Sequence, residues 1–530
     1  MHVNLQYAKK GMASSSSPLA TLAALQVLQD GGNAFDAGIC ASAVLNVVLP
    51  MSCGLGGDIA VLGYVENKKK TYSISSLGSA PANASIAEFL ARNLSAIPKT
   101  GIMSATIPAT IEAYLKIHAE FCTLPLERLF KSAIFYAENG VTVGDQLHRW
   151  IKNNRDIIKD DRFLAETFLP FGNAAMPGSS IQQQSLANTY QRISMLGQNL
   201  HKDDWILESY MRINKVQNGL FVESDFYKPQ CTIEEPFNTY IANHLVLTTG
   251  LPTQGYLLLQ NLKLYEMAHN KKNIGDFPNK IHVLSEIFNQ TYWQRLCKVG
   301  DPRFIDGLDD LLVKNNLVDL YGNINFENTT PCRHAGYYTE GDTSYFNIVD
   351  KQGNAVSWIQ SLSLGFGSGV SVPETGVVLN SRLGRSCTLN PSQPNCCEPG
   401  KRPINTIFPY IVIKDEELFL MGGTPGGDGQ AQWNTSFLSA MLLEQKNIVQ
   451  ALSEPKWTYF PGADLIESDI SQSIHIEKES VLSIQNALQE KGHLVIEKKK
   501  IAGALRVIQN KKSHFIGADD GREDGLTLGY

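Results

Sequence analysis

The sequence predicts a mixed α/β (α+β) fold in which sheets are layered with helices. Helical and strand patterns occur in both halves of the chain, and no internal repeat or long linker divides it. With 530 residues and 43% hydrophobic content, the chain can bury a large core, in one big unit or in several domains.

Residues 18–30 (PLATLAALQVLQD) carry apolar residues at helical spacing and stop at Gly31-Gly32. A second helix is expected over 34–49. Its segment AFDAGICASAVLNVVLPM (34–51) is the most apolar of the chain, but Asp36 and Asn46 interrupt it and Pro50 ends it. A buried helix fits it better than a membrane span. SCGLGGDIAVLGYVENKKKTYSIS (52–75) reads as a glycine turn followed by two strands. Helical patterns such as TIEAYLKIHAEF dominate 110–300, with a strand-like YIANHLVLTTG at 240–250. From about 343 strands take over, at 344–350, 355–362, 376–380, 407–413 and 416–421, and a helix follows at about 430–445. SCTLNPSQPNCCEPG (386–400), with three prolines, suits a surface lid or flap.

Composition narrows the function classes. Net charge is −6 and the lysine runs at 68–70 and 498–500 read as solvated charges, so no nucleic-acid partner is expected. The stretch MHVNLQYAKKGMASSSS has a basic pair with no apolar run after it, which predicts no secretory signal and a cytoplasmic protein. The nine cysteines show no zinc-type CxxC spacing and read as free thiols in a reducing compartment. The eleven histidines include no HExxH, so neither a metal nor a cofactor is expected.

GDTSYFNIVDKQGNAV (341–356) reads as a hairpin turning through Lys351-Gln352-Gly353, with glycine in the left-handed position. If Asp350 pairs with Asn354, the ladder sets Thr343 opposite Ser361. Cross-strand Cβ atoms lie about 4.5–5.5 Å apart, within hydrogen-bond reach for two hydroxyls. Thr343 is then either an ordinary strand residue, favoured by β-propensity, or a nucleophile. A hydroxyl needs a base, and GxSxG is absent. A threonine at a chain N-terminus carries its own base, an α-amine titrating at about 7.7–8.0. That chemistry requires cleavage between Asp342 and Thr343.

MGGTPGGDGQAQWN (421–434) runs from a strand through a glycine turn into a helix. Gly426 and Gly427 are either plain turn residues or donors of backbone N–H groups to an oxyanion. No GK[ST] follows them, and GLGGD (54–58) lacks the GxGxxG spacing, so no phosphate loop is expected. In LNSRLGR (379–385), Arg382 and Arg385 are either solvated or placed to bind a substrate carboxylate by paired hydrogen bonds.

Together these residues resemble the gamma-glutamyltransferase family of N-terminal-nucleophile hydrolases, and the similarity runs nearly end to end. SPLATLAALQVLQDGGNAFDAG (17–38), SCGLGGD (52–58), IPATIEAY (107–114), AENGVTV (137–143), KVGDPRF (298–304) and GADDGREDG (517–525) match in order. So do the threonine hairpin, PGKRPINTIFP and GGTPGGDG. GDTSYF, GFGSG and LNSR are similar to a divergent branch with cephalosporin acylases and oxamate amidohydrolase.

The resemblance implies a four-layer αββα sandwich. It implies self-cleavage at Asp342–Thr343 into a large subunit, 1–342, and a small subunit, 343–530, that stay intertwined. Thr343 would be the nucleophile, Ser361 the second catalytic hydroxyl, and Gly426 and Gly427 the oxyanion donors. The family's two carboxylate-binding serines fall on Asn405 and Thr406. Its glutamyl-binding arginine falls on Leu77, and its contacts to the substrate α-amino group fall on Ser363, Arg382 and Arg385. The expected acyl donor is a carboxylate-bearing amide of gamma-glutamyl, glutaryl or oxamate type; because arginine repels an ammonium, a donor that lacks or does not need the α-amine is expected, with Arg382 as its anchor. The alternatives are a true gamma-glutamyl transferase with an altered pocket and an unprocessed, inactive binding protein. The expected partners are a small-molecule amide and the chain's own two subunits; a homodimer of processed units stays open.

Overall fold

The structure is a computed structural model and describes residues 3–272, 274–332, 343–462, 471–477 and 482–530. Two seven-stranded sheets organise the described residues. The first runs, edge to edge, Asn4–Ala8, Phe515–Asp519, Arg506–Asn510, Glu417–Gly423, Tyr410–Lys414, His244–Thr248 and Phe237–Ile241. The second runs Leu526–Gly529, Met12–Ser15, Ser344–Val349, Ala355–Ser361, Asp58–Val65, Lys70–Ser76 and Cys231–Glu234. The pairings within both are antiparallel.

Side-chain alternation along the strands explains how the layers stack. In Asp58–Val65, Ile59 and Val61 join a core with helices Pro18–Gln29, Ala34–Val48, Thr110–Phe121 and Leu126–Asn139. Leu62 and Tyr64 face the other way, toward Leu247, Ile411, Met421 and Ile508 of the first sheet. The far face of that sheet, with Val246, Tyr410, Val412 and Leu420, packs on helices Gly255–Lys271, Phe277–Lys298 and Gly429–Leu442. The order is helix, sheet, sheet, helix, which is the αββα sandwich the resemblance implies. Each sheet takes strands from both sides of position 343, so the stretches before and after it are interleaved.

The expected elements are present with shifted ends, each for a local reason. The strand expected at 376–380 is only Val377–Val378, bounded by Gly376 at φ +66 and by Asn380, whose side chain bonds to Gly56 and Thr106. The strand expected at 407–413 starts at Tyr410, after Pro409, which has no N–H for a ladder. The helix expected to reach 445 ends at Leu442: Gln445 turns left-handed and Lys446 N–H closes back on Ala440 O. The Ala34–Val48 helix is buried along its whole length, and among the described residues no helix is long and apolar enough to cross a membrane. In the 386–400 segment, Cys387 and Cys397 pack with Ala80, Phe89 and Leu220, while Asn390, Pro391 and Ser392 at the tip are exposed.

Candidate active site

The threonine hairpin closes as its turn chemistry dictates. Asp350 N–H donates to Asn354 O at 3.0 Å, and Gly353 takes φ +93. Asp350 Oδ1 accepts from the amides of Gln352 and Asn354, which fixes the turn from inside. The register runs from Val349↔Ala355 to Ser344↔Gln360, so the next pair outward is Thr343 and Ser361. Thr343 Oγ1 donates to Ser361 Oγ at 3.3 Å, and Ser361 Oγ also accepts from Ser363 N–H at 2.9 Å. Trp358 holds this strand in place: it is fully buried, stacks on Phe346 and lies against Gly38 of the Ala34–Val48 helix. Truncating such a residue typically costs about 3–5 kcal/mol, so the two hydroxyls sit on a stiff support.

An acidic residue stands on the other side of Ser361. Asp58, the last residue of GLGGD, is the strand partner of Ser361 and is 1% exposed. Its Oδ2 accepts from Arg382 Nε at 3.1 Å and from Asn405 Nδ2 at 2.9 Å, and its Oδ1 accepts from Gly78 N–H at 2.9 Å. Gly78 fits because a Cβ there would lie 2.1 Å from Ile107 O. Arg385, also buried, donates through Nη1 to Ser363 O at 2.7 Å. Ser363 takes φ +86, a left-handed conformation that strains a serine. Asn380 ties the segment down: its Oδ1 accepts from Thr106 N–H and Arg382 N–H.

The glycine turn leaves the first sheet and is tied both to the hairpin and, through Gln254, to Asn405. Gly423 ends its strand against Tyr345, whose ring would be 2.4 Å from a Cβ at that position. Tyr345 OH is 2.7 Å from Ser357 Oγ, and Ser357 Oγ donates to Gly422 O at 3.3 Å, so strand end and hairpin are bonded together. Burial pushes the Tyr345 phenol well above its usual range, which keeps it protonated. Beyond the strand, Gly426 takes φ +122 and Gly427 φ +55. A Cβ on Gly426 would lie 2.3 Å from the Trp433 ring, so only glycine fits. Gly426 O accepts from Gly429 N–H, and Gly427 O accepts from Gln430 N–H and Gln254 Nε2. The two glycine amides donate to no acceptor among the described residues. Asp428 is locked by Arg295 at 2.7 Å, and the Gly429–Leu442 helix starts directly after it. Gln254 N–H donates to Asn405 O at 2.8 Å, which links the glycine turn to the Asp58 cluster.

The structure therefore links Thr343, Ser361, Ser363 and Arg385 by direct bonds, and joins Arg382 and Asn405 to them through Asp58, the strand partner of Ser361, with Gly427 reached from Asn405 through Gln254. Thr406 follows Asn405 and is buried. Asp342 lies outside the described residues. Leu77, where the family's glutamyl-binding arginine falls, packs with Tyr345, Ile359 and Ile407 between the sheets. Arg382 was expected to meet a substrate carboxylate, and its Nε is engaged by a carboxylate of the chain itself. Asp58 carries no expected role in the sequence, where SCGLGGD reads as a glycine turn before two strands and GLGGD lacks the spacing of a phosphate loop; its place opposite Ser361 comes from the pairing of the Asp58–Val65 strand. Hydroxyls and backbone amides of a glycine turn are group types that acyl transfer can use as nucleophile and oxyanion donors.

The chain is 29% identical over 532 residues to the glutathione hydrolase-like YwrD proenzyme of Bacillus subtilis, covering 98% of each chain. It is 28% identical over 541 residues to the oxamate amidohydrolase proenzyme of Klebsiella pneumoniae, again covering 98% of each. Its fold superposes on the cephalosporin acylase from Bacillus halodurans with a TM-score of 0.90 and 25% identity, over 100% of this chain and 97% of that one. The family model described as gamma-glutamyltranspeptidase matches residues 20–530, and the chain belongs to that family.

Proposed function

We propose that the protein is an autoprocessed threonine amidohydrolase acting on carboxylate-bearing amides. The observation that carries this reading is the hydrogen bond from Thr343 Oγ1 to Ser361 Oγ, at the end of a hairpin in a chain whose relatives are named proenzymes. In processing, Thr343 Oγ attacks the Asp342 carbonyl, the acyl group shifts from nitrogen to oxygen, and water hydrolyses the ester. The large subunit then ends at Asp342 and the small subunit begins with the free amine of Thr343.

In turnover, that amine takes the proton of Thr343 Oγ as the oxygen attacks the substrate carbonyl. Ser361 Oγ steadies the nucleophile, and the amides of Gly426 and Gly427 receive the negative oxygen. The tetrahedral intermediate collapses, the leaving amine takes the proton, and an acyl ester on Thr343 remains. Water or an acceptor amine resolves it by the same steps reversed. Arg382 and Arg385 bring positive charge to the acyl side, which favours a carboxylate on the acyl group and disfavours an ammonium.

The test is a substrate panel on purified, processed protein: oxamate, a glutaryl amide and glutathione, with release of ammonia or amine measured. Faster turnover of oxamate or the glutaryl amide than of glutathione supports the reading. Preferential turnover of glutathione would establish a gamma-glutamyl transferase or hydrolase with a rebuilt pocket instead.

A further inference from the structure

We infer that Gln254 is a positioning residue for acyl transfer, holding the Gly426-Gly427 turn and the Asn405 segment at a fixed spacing. The inference rests on the amidohydrolase reading, in which Gly427 is an oxyanion donor and Asn405 stands where the family has a carboxylate-binding serine. It gives a role in turnover to a residue that belongs to neither segment.

Three observations carry it. Gln254 touches both segments at once: its N–H donates to Asn405 O at 2.8 Å, and its side-chain Nε2 donates to Gly427 O at 3.3 Å. Gly427 lies 173 positions away in sequence, so no local structure produces that contact. Gln254 is also held from behind. Asn405 N–H returns a bond to Pro252 O at 2.8 Å, which completes a parallel bridge between Thr253 and Asn405. The Thr253 hydroxyl donates to Gly250 O at 2.9 Å, and the helix Gly255–Lys271 starts directly after Gln254. Finally, Gln254 is 0% exposed, so its amide is spent inside the protein and not on solvent.

The glycine turn needs such a restraint. Glycine has the widest choice of backbone conformations, and two in succession can swing their N–H groups away from a developing charge. Oxyanion donors help most when they are aimed before the charge appears. Gly429 N–H holds Gly426 O, and Gln430 N–H holds Gly427 O at 3.2 Å, which shapes the turn from within. The bond from Gln254 Nε2 ties the second of these carbonyls to the segment of Asn405. A carboxylate bound at Asn405 then steadies the turn that serves the reacting carbonyl, and remote binding energy reaches the transition state.

The experiment compares wild type, Gln254→Met, Asn405→Ala and the double variant, after a denaturing gel has confirmed processing of each. The substrate is the faster of oxamate and glutaryl-4-nitroanilide, and its product acid, oxalate or glutarate, is the competitive probe of carboxylate binding. Methionine keeps the length of the glutamine side chain and loses its donor. Gln254→Met is expected to lower kcat about fivefold, the worth of one neutral hydrogen bond. KM and the inhibition constant of the acid should stay within about twofold, because the side chain acts on the turn and not on the carboxylate. Asn405→Ala is expected to raise KM and to lower kcat, and in the Gln254→Met background its kcat loss should shrink to less than about twofold, because the two residues act as one unit. An unchanged kcat in Gln254→Met, an Asn405→Ala loss confined to KM, or kcat losses that multiply in the double variant would each overturn the inference and leave the amidohydrolase reading intact. A processed wild type inactive on both oxamate and the glutaryl anilide would overturn that reading, and this inference with it. If Gln254→Met fails to fold, Gln254→Asn, whose amide stops one methylene short of Gly427, takes its place; the same split is expected, and the same results count against the inference.

Discussion

Thr343 and Ser361 stand one position beyond the last paired rung of one hairpin, and the hydroxyl of the first donates to that of the second at 3.3 Å. The contact makes Ser361 the nearest support for the proposed nucleophile. Ser361→Ala should therefore lower kcat by about 10- to 100-fold, the range for a hydrogen bond to a reacting, charge-bearing atom. Processing should slow as well, because the same oxygen attacks in both reactions. Steady-state kinetics and a time course of cleavage check this.

Gly426→Ala should be more damaging. The added Cβ meets the Trp433 ring at 2.3 Å, and φ +122 disfavours any side chain. Displacing one proposed oxyanion donor should cost about 10²–10³ in kcat. Comparing Gly426→Ala with Gly426→Ala/Trp433→Leu separates the clash from the backbone strain: partial recovery of rate in the double variant is expected if the clash dominates.

The free amine of Thr343 should govern the pH profile of turnover. It is a base only when neutral, so kcat/KM should rise with pH and level off near the usual α-amine value of about 7.7–8.0. A profile flat from pH 6 to 9 would point to another base.

Stability should fall in acid because of a buried histidine pair. His282 Nδ1 lies 2.8 Å from His493 Nε2, and His282 Nε2 lies 3.0 Å from Asn325 O. Burial lowers both from 6.5 to about 4. The folded protein thus keeps them neutral where the unfolded chain would protonate them. Their contribution is fully present above pH 6.5 and is lost as pH falls toward 4. His493→Gln, which keeps an N–H donor for His282, should make the melting temperature less sensitive to pH across that window.

The parts of the site that were legible in the sequence are the local ones. The turn Lys351-Gln352-Gly353 sets the hairpin register, and the register alone places Ser361 by Thr343. Gly426 and Gly427 are readable because a strand, a glycine turn and a helix start follow in one short stretch. The Asp58 cluster was not legible, since Arg382 and Asn405 lie 324 and 347 positions from Asp58 in sequence and meet it only in the folded chain. The strand at 377–378 was overestimated for a similar reason. Its apolar run looks like a longer strand, but Asn380 turns away to bond Gly56 and Thr106, which are far off in sequence.

The central claim is that this chain makes its own catalytic N-terminus. A denaturing gel of the purified wild-type protein and of Thr343→Ala, with N-terminal sequencing of the smaller band, tests it most directly. The account predicts two bands for the wild type, the smaller beginning Thr343-Ser344-Tyr345, and one band for Thr343→Ala. A wild type that remains a single chain of 58.4 kDa after long incubation, or a smaller band beginning at another residue, would contradict it.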